Sequence, residues 1–392
     1  MHLAGVFARH LYPSLHRVVK GNCPSLPFVE ECLRVTGLVH DVGHGPFGHF
    51  FDEHFLDAHH LTHEDLGQRI IRDRLGPIMS QIRRSPNGEF ASTERLDPNQ
   101  IAFLIKKDGS PGDGQPAWLR LLWPLACGIF TFDNMDYVSR DAYMCGVSTG
   151  PVDRDRLIHY TFFSPKGLTI HRAGNAALTM FLNARLYLYT NVYYHRTTRA
   201  IDLHLKEIFR ETIELVCPGN PLDHLDDYLR LTDRSLLEEV ERWRGTDGQK
   251  GELGKEWRRI LSRDLKWKMA YEKLLPFPPM KAGLALIRRE EWKQRMREIL
   301  PKGKRDLPFE VDLALQDPRP ENPFAMGGKQ IYVFDPATGK IETESLPELF
   351  EFIPAKVVQF RVFSTDHASD GLLAKLAEKS LGWIHPSIPT SV

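Results

Sequence analysis

The chain of 392 residues is long enough to form one large domain or two to three smaller ones. Hydrophobic residues make up 42% of it and charged residues 26%, which is typical of soluble globular proteins and excludes a disordered chain. Its 51 Lys and Arg balance its 51 Asp and Glu, so no overall positive field attracts nucleic acid, and an anionic ligand requires a local site.

The cysteines and the N-terminal stretch favour a cytoplasmic protein. The five cysteines form no CxxC pair and no regular spacing, which predicts reduced, mostly buried thiols: Cys23, Cys32, Cys127, Cys145 and Cys217. The N-terminus lacks the pattern of a signal peptide, and no run approaches 18 apolar residues. We therefore expect no membrane segment.

The periodicity of residues 1–245 predicts a largely helical region. One stripe of period 3.6 leads to His40 and comprises Val29, Cys32, Leu33, Thr36 and Gly37. Thr62 and Asp65 have the spacing of a capping box at the start of a helix. The segment HYTFFSPKGLTIH predicts a hairpin, and a long helical stretch is expected from Gly174 to Cys217.

The sequence pattern changes at two points in the second part of the chain, near residues 245 and 307. Residues 245–256, GTDGQKGELGKE, predict an exposed loop, and a basic helical segment is expected from there to Arg305. From Leu307 onward, IYVFDPATGKIETE predicts a hairpin, AKVVQFRVFS a strand and DGLLAKLAEKSL a helix. The sequence thus predicts a mainly α fold with small β-hairpins, divided into 1–245, a basic helical linker or insertion at 246–306, and a mixed α/β region at 307–392.

Residues 40–54, HDVGHGPFGHFFDEH, contain four histidines and three acidic residues. Packing does not explain this density, because neither a core nor a surface needs so many imidazoles. Imidazoles and carboxylates together are the usual ligands of divalent zinc, manganese or iron. The glycines between them allow tight turns close to a ligand.

The stretch GLVHDVGHGPFGHFFD resembles the HD-domain phosphohydrolases, and among them the deoxynucleoside triphosphate triphosphohydrolases. HLAGV, LTHE and DNMDYVSRD follow the same resemblance in the same order. It implies an HD catalytic core within residues 1–245 and a homo-oligomer, a dimer or higher. It also implies one divalent ion (Mn, Fe, Zn or Ni), with Mg²⁺ as a companion of the nucleotide.

The resemblance assigns roles to individual residues. The metal ligands would be His2, His40, Asp41 and Asp133. His44 and His63 would transfer protons, His49 would lie near the phosphates, and Asp52 or Glu64 would orient an imidazole.

The substrate would contact two later segments. DNMDYVSRD places Asp133, Tyr137 and Asp141 on one helical face, where the resemblance puts Tyr137 against the sugar and Asp141 on its 3′-hydroxyl. YYHRTTR would contact base and phosphates through Tyr193, His195, Arg196 and Arg199.

Three departures from the family pattern affect phosphate and base recognition. The sequence starts one residue before the first metal histidine, so either the family's preceding stretch with an arginine has been trimmed or phosphate binding is weaker or differently built. Asn134 replaces a phosphate-contacting lysine, and Tyr194 replaces a glutamine. Two alternatives stay open beside triphosphohydrolase activity. One is a nucleoside monophosphatase or phosphodiesterase on the same scaffold, and the other is a catalytically weak nucleotide-binding regulator.

Overall fold

The computed structural model describes residues 1–106, 114–277, 288–316, 331–342 and 356–381. The mainly α fold with small sheets is confirmed. The helices up to residue 144 are α1 (His2–Val19), α2 (Leu26–Val39), α3 (His49–His54), α4 (His63–Ile70), α5 (Gly76–Met79), α6 (Pro98–Ile105), α7 (Ala117–Leu122), α8 (Pro124–Cys127) and α9 (Phe132–Met144). The later ones are α10 (Arg154–His159), α11 (Asn175–Leu188), α12 (Arg196–Val216), α13 (Leu225–Arg230), α14 (Asp233–Arg242), α15 (Gly248–Leu261), α16 (Arg289–Glu298) and α17 (Asp370–Leu381).

The strands among the described residues form three small sheets. Two antiparallel strands, β1 (Arg84–Ser85) and β2 (Gly88–Glu89), form the first. A sheet in the order β3-β4-β7-β8 contains β3 (Thr161–Ser164), β4 (Gly167–His171), β7 (Tyr332–Asp335) and β8 (Lys340–Glu342). The third, in the order β5-β9-β6, contains β5 (Lys268–Phe277), β6 (Phe309–Gln316) and β9 (Lys356–Ser364).

The helices that carry the histidine cluster begin and end where their sequences favour it. Ser25 caps α2 by accepting a hydrogen bond from the Phe28 N–H, and the buried stripe of α2 leads to His40, the residue after its last turn. The capping box of Thr62 and Asp65 at the start of α4 is confirmed, with both reciprocal hydrogen bonds present. These two helix ends fix where His40 and His63 stand.

The chain divides into two compact units. Unit 1 comprises Met1–Arg185, Ile213–Leu236 and Asn322–Phe352; unit 2 comprises Leu186–Thr212, Leu237–Glu321 and Ile353–Val392. This division differs from the consecutive regions expected from sequence. Parallel pairing of β4 with β7, which aligns Ile170 with Val333, joins a C-terminal segment to unit 1.

Unit 2 has a core of its own around its three-stranded sheet. Helices α16 and α17 pack on β6 and β9 there, and the buried side chains include Trp292, Met296, Val311, Phe360 and Leu373. The predicted strand and closing helix at the C-terminal end are confirmed as β9 and α17. The predicted hairpin of IYVFDPATGKIETE is confirmed as β7–β8, and that of HYTFFSPKGLTIH as β3–β4.

Two expectations about secondary structure are wrong. Residues 245–256 are mostly helical, because α15 buries Leu253, Trp257 and Ile260 on one face. The segment expected to be helical up to Arg305 contains the ten-residue strand β5, which pairs along its length with β9. The long helical stretch expected from Gly174 to Cys217 is confirmed as α11 and α12, with a π-helical turn, Tyr189–Tyr193, between them.

The cysteines are mostly buried, as the sequence predicts. All five cysteines are free thiols, and Cys32, Cys127 and Cys217 are buried. Among the described residues, no helix combines the length and the apolarity needed to cross a membrane.

Candidate functional site

His40, Asp41 and Asp133 come together at the end of α2 and the start of α9. The His40 Nε2 atom lies 3.1 Å from Asp41 Oδ2 and 3.3 Å from Asp133 Oδ1. Asp133 reaches this point because Thr131 caps α9 by accepting a hydrogen bond from the Asn134 N–H, which orients the first helical turn. Both ring nitrogens of His40 are buried and make no hydrogen bond in the described structure.

This group fits a divalent metal ion. Ligand atoms bound to one ion at about 2.1 Å stand about 3.0–3.4 Å apart for octahedral or tetrahedral angles, and His40 Nε2 lies within this range of an oxygen of each carboxylate. The buried Nε2 atom of His40, which makes no hydrogen bond, otherwise costs free energy, and an ion bound to this atom removes that cost. His40, Asp41 and Asp133 therefore have the spacing and chemistry to hold the ion.

Without an ion, the attraction between the His40 imidazole and the neighbouring carboxylates sets the protonation of His40 and Asp41. Burial would lower the pKa of His40, but the carboxylates of Asp133 and Asp41 outweigh it and raise the pKa to about 9. Burial would raise the pKa of Asp41, but His40, followed by His44 and His63, lowers it to about 2. Metal binding therefore has to displace a proton from His40.

A second group lies beside the first and contains His44, His49, Asp52 and His63. The rings of His44 and His63 are stacked, with centroids 3.8 Å apart. Asp52 Oδ2 accepts a hydrogen bond from His63 Nδ1 at 2.6 Å and lies 3.2 Å from His49 Nδ1. Burial would raise the pKa of Asp52, but these imidazoles outweigh it and hold the pKa well below its ordinary value.

His63 is the most enclosed member of this second group. Its side chain is 6% exposed, whereas that of His49 is 75% exposed. On its other side, His63 Nε2 lies 3.4 Å from Glu64 Oε1. A carboxylate that binds Nδ1 fixes the ring and the tautomer, and it stabilises the positive charge when the imidazole takes up a proton.

Three further residues that were predicted for the site, His2, Tyr137 and Asp141, also lie in unit 1. His2 is exposed at the start of α1 and does not join His40, Asp41 and Asp133 among the described ligand clusters, so its role stays a prediction. Tyr137 and Asp141 lie one and two turns after Asp133 on α9, both partly buried. Asp141 lies 3.2 Å from Arg140 Nη1.

The residues predicted from YYHRTTR belong to unit 2. The Tyr193 ring packs edge-on against Tyr189, and His195 Nδ1 accepts a hydrogen bond from the Thr197 N–H. Arg199 binds Asp312, a fully buried carboxylate, through Nε and Nη2, and this contact gives it a structural role within unit 2.

Arg196 lines a cavity of about 490 Å³ in unit 2. Arg263, Lys268 and His367 line the same cavity. The roles of Tyr193, His195, Arg196 and Arg199 toward a nucleotide stay predictions.

One cation near the site was missed by the sequence analysis. Arg185, in α11, lies 3.5 Å through Nη1 from the Ile129 carbonyl oxygen. Its guanidinium therefore lies beside the loop that leads to Thr131 and Asp133. No local pattern predicts this, because the contact joins residues 56 positions apart.

Comparison with known proteins identifies the class of domain. Residues 1–104 match the HD domain family, and residues 152–299 match the HD associated region. The chain therefore contains an HD domain followed by an HD-associated region. His40, Asp41 and the second histidine group lie within the first match, and Asp133 lies between the two.

Individual relatives are distant. An uncharacterized protein of Bacillus subtilis, YwfO, is 29% identical over 251 residues, which are 60% of this chain and 52% of the relative. Deoxynucleoside triphosphate triphosphohydrolase SAMHD1 of Gallus gallus is 25% identical over 261 residues, covering 58% of this chain and 42% of that protein. The aligned regions thus span about half the length of these relatives, or less.

A solved structure shares the fold over nearly the whole chain. The crystal structure of a hypothetical protein from Aquifex aeolicus covers 97% of this chain, and this chain covers 84% of it, with a TM-score of 0.65. The two sequences are 24% identical, so this likeness concerns the fold alone.

Proposed function

We propose that this protein is a metal-dependent phosphohydrolase that converts deoxynucleoside triphosphates and water into deoxynucleosides and triphosphate. The observation that carries the proposal is the pairing of two groups: His40, Asp41 and Asp133 can hold an ion, and His63 with Asp52 can move a proton beside it. The deoxynucleoside triphosphate triphosphohydrolases among the relatives support the choice of substrate.

The chain's own groups have distinct tasks in this reaction. His40, Asp41 and Asp133 would hold the ion, which when bound supplies electrostatic stabilisation of the phosphoryl charge. The oxygen of water attaches to the α-phosphorus as the bond from that phosphorus to the 5′-oxygen breaks. His63 donates a proton to the departing 5′-oxygen, and Asp52 stabilises the imidazolium before this transfer and orients the ring.

Most of the groups that bind the phosphate chain have to come from outside α9. Asn134 carries no charge, and Arg140, the single cation of α9, is paired with Asp136 and Asp141. Arg185, beside the loop before α9, adds a partly buried guanidinium suited to phosphate oxygens. The weak cationic field of α9 also favours the second candidate, hydrolysis of a nucleoside monophosphate.

Product analysis tests the proposal directly. The full chain, stripped of metal and reloaded with Mn²⁺, is incubated with each of the four deoxynucleoside triphosphates, their ribonucleotide counterparts and the deoxynucleoside monophosphates. We expect deoxynucleoside and intact triphosphate in equal amounts. Stepwise release of phosphate, or hydrolysis of monophosphates alone, would favour the monophosphatase, and binding without turnover would favour a regulator.

Tyr137 should set the preference for the sugar. It stands one turn after Asp133 on the same face of α9, where its ring would restrict the space for a 2′-hydroxyl. We expect Tyr137→Ala to reduce the ratio of kcat/KM for deoxynucleotide over ribonucleotide, measured in matched assays. Exposed Tyr143→Ala, on the same helix, is the control. A ratio that stays unchanged in Tyr137→Ala contradicts the role.

A further inference from the structure

The loop that carries the site residues, residues 40–49, lies directly on α4. A Cβ atom at Gly43 would come within 2.0 Å of the His63 carbonyl oxygen and 2.4 Å of the Gly67 nitrogen. No side chain fits there without moving backbone. The contact therefore sets the loop with Asp41 and His44 against the helix with His63 and Glu64.

The same glycine is bound by a residue far along the chain. Tyr228, in α13, donates its hydroxyl hydrogen to the Gly43 carbonyl oxygen at 2.7 Å. Its side chain is buried, and its ring contacts Phe51 with centroids 5.9 Å apart. This hydrogen bond fixes the peptide plane between Gly43 and His44.

A second hydrogen bond from the same region holds the loop four residues later. The Phe47 N–H donates to Asp233 Oδ1 at 2.9 Å, where α14 begins. Phe47 has a φ of 66°, in the left-handed region that non-glycine residues rarely adopt. A hydrogen bond to a carboxylate is stronger than one between neutral groups, so Asp233 offsets the cost of this backbone conformation.

The region that provides Tyr228 and Asp233 is itself anchored in unit 1. Leu225, Leu231 and Leu236 are buried. Asp226 lies 2.5 Å from Arg74 Nη2, in the π-helical turn that follows α4. Residues 225–236 are thus tied to the loop and to the end of the helix that carries His63.

We infer that residues 225–236 act as a brace for the site and that Tyr228 and Asp233 are positioning residues for Asp41 and His44. The part of this role that concerns turnover rests on the proposed function; the part that concerns metal affinity does not. If the loop lost these contacts, the Asp41 carboxylate would move away from the His40 imidazole. Both the metal affinity and the rate of the chemical step therefore depend on the brace.

Tyr228→Phe tests the inference by removing one hydroxyl, and Tyr12→Phe is the matched control. The Tyr12 hydroxyl also donates to a backbone carbonyl, that of Pro24 at 2.9 Å, away from the site loop. In Tyr228→Phe we expect the Kd for Mn²⁺ to rise roughly tenfold and kcat to fall by about the same factor, with little change in KM. Tyr12→Phe should match the wild type in all three.

Equal Mn²⁺ affinity in Tyr228→Phe and Tyr12→Phe would overturn the inference, whatever their melting temperatures. Asp233 provides a test that does not depend on a buried substitution. Asp233→Asn keeps an oxygen acceptor and should retain more Mn²⁺ affinity than Asp233→Ala; equal affinity in the two variants also counts against the brace. Weakened Mn²⁺ binding in Tyr228→Phe, together with a wild type that hydrolyses no nucleotide, would leave the brace standing and remove the proposed function.

Discussion

His40 shows at the level of one side chain why the site is suited to a bound ion. Its two buried nitrogens lack hydrogen bonds, although carboxylate oxygens lie 3.1 and 3.3 Å from Nε2. In the absence of an ion, His40 keeps a proton because of these carboxylates. A metal ion therefore competes with this proton at neutral pH.

A comparison of two aspartates on α9 tests whether Asp133 is a metal ligand. Asp133→Asn should lose bound metal and activity, because a neutral amide replaces a carboxylate within the ligand group. Asp136→Asn, three residues later and paired with Arg140 at the surface, should keep both. Elemental analysis of the purified variants gives the metal content, and stoichiometric metal in Asp133→Asn would contradict the assignment.

Proton transfer by His63 can be separated from metal binding. Because His63 pairs with Asp52 and Glu64 and not with the ligand group, His63→Gln should keep its metal and its KM. Its kcat should fall by roughly a hundredfold to ten-thousandfold, the usual size of one acid–base contribution. His10→Gln, at an exposed position of α1, serves as control. Loss of metal would make His63 a ligand, and a change confined to KM would make it a substrate contact.

The composition of residues 40–54 and the family resemblance together indicated the parts of the candidate site that lie close together in sequence. His40, Asp41 and His44 share one loop, and His63 follows a recognisable cap. Tyr228 could not be predicted in this way, because its contact with Gly43 spans 185 positions and its local pattern is that of an ordinary buried tyrosine. A chain's long-range hydrogen bonds become visible only when the fold is known.

At the scale of single elements, glycine explains the wrong prediction for residues 245–256. Gly251 and Gly254 suggested a loop, but in α15 they allow close packing on the preceding turn. A Cβ atom at Gly251 would lie 2.0 Å from the Thr246 carbonyl oxygen, and one at Gly254 would lie 3.0 Å from that of Trp243. The burial of Leu253 and Trp257 then stabilises the helix against the low intrinsic propensity of glycine.

Helix α4 gives a prediction about pH and stability. Asp65 pairs with Lys106 and accepts a hydrogen bond from the Thr62 N–H. Burial would raise the pKa of Asp65, but Lys106 and Thr62 outweigh it and lower the pKa below its ordinary value. The unfolded chain thus takes up the proton at a higher pH than the folded protein, so the carboxylate stabilises the fold at neutral pH.

Urea unfolding of Asp65→Asn at neutral and acidic pH measures this contribution. The variant should be less stable than the wild type at pH 7. The difference should shrink as the pH falls below the ordinary value of 3.8 and through the lowered pKa in the folded protein. Asp73→Asn, which breaks a surface pair with Arg69, should change stability little at either pH. A difference that persists in acid would contradict the assignment to Asp65.

At the scale of the whole chain, each of the two units consists of segments that are separated in sequence. A prediction from sequence cannot show this, because it assigns consecutive residues to the same domain. The consecutive regions we expected follow composition, which changes near residues 245 and 307. Unit 1 nevertheless takes Ile213–Leu236 and Asn322–Phe352 from beyond its first segment. Strand pairing of β4 with β7 and the hydrogen bond of Tyr228 both join parts of unit 1 that are distant in sequence.

Since the proposed ligands and the brace all belong to unit 1, damage to the core of unit 2 should spare the metal site. Phe360 is fully buried in the cluster of unit 2, and Phe7 is fully buried in α1 of unit 1, where its ring contacts Phe130 close to the start of α9. Replacing either phenylalanine by alanine costs roughly 3–5 kcal/mol of unfolding free energy. We expect Phe360→Ala to retain stoichiometric Mn²⁺ with unchanged affinity, and Phe7→Ala to bind it more weakly, because the loosened core includes the residues that orient α9.

Urea titrations establish that the two variants are destabilised to a similar extent, and Mn²⁺ titrations under folding conditions then compare the sites. Equal loss of affinity in both variants would show that the site depends on the integrity of the entire chain and not of unit 1.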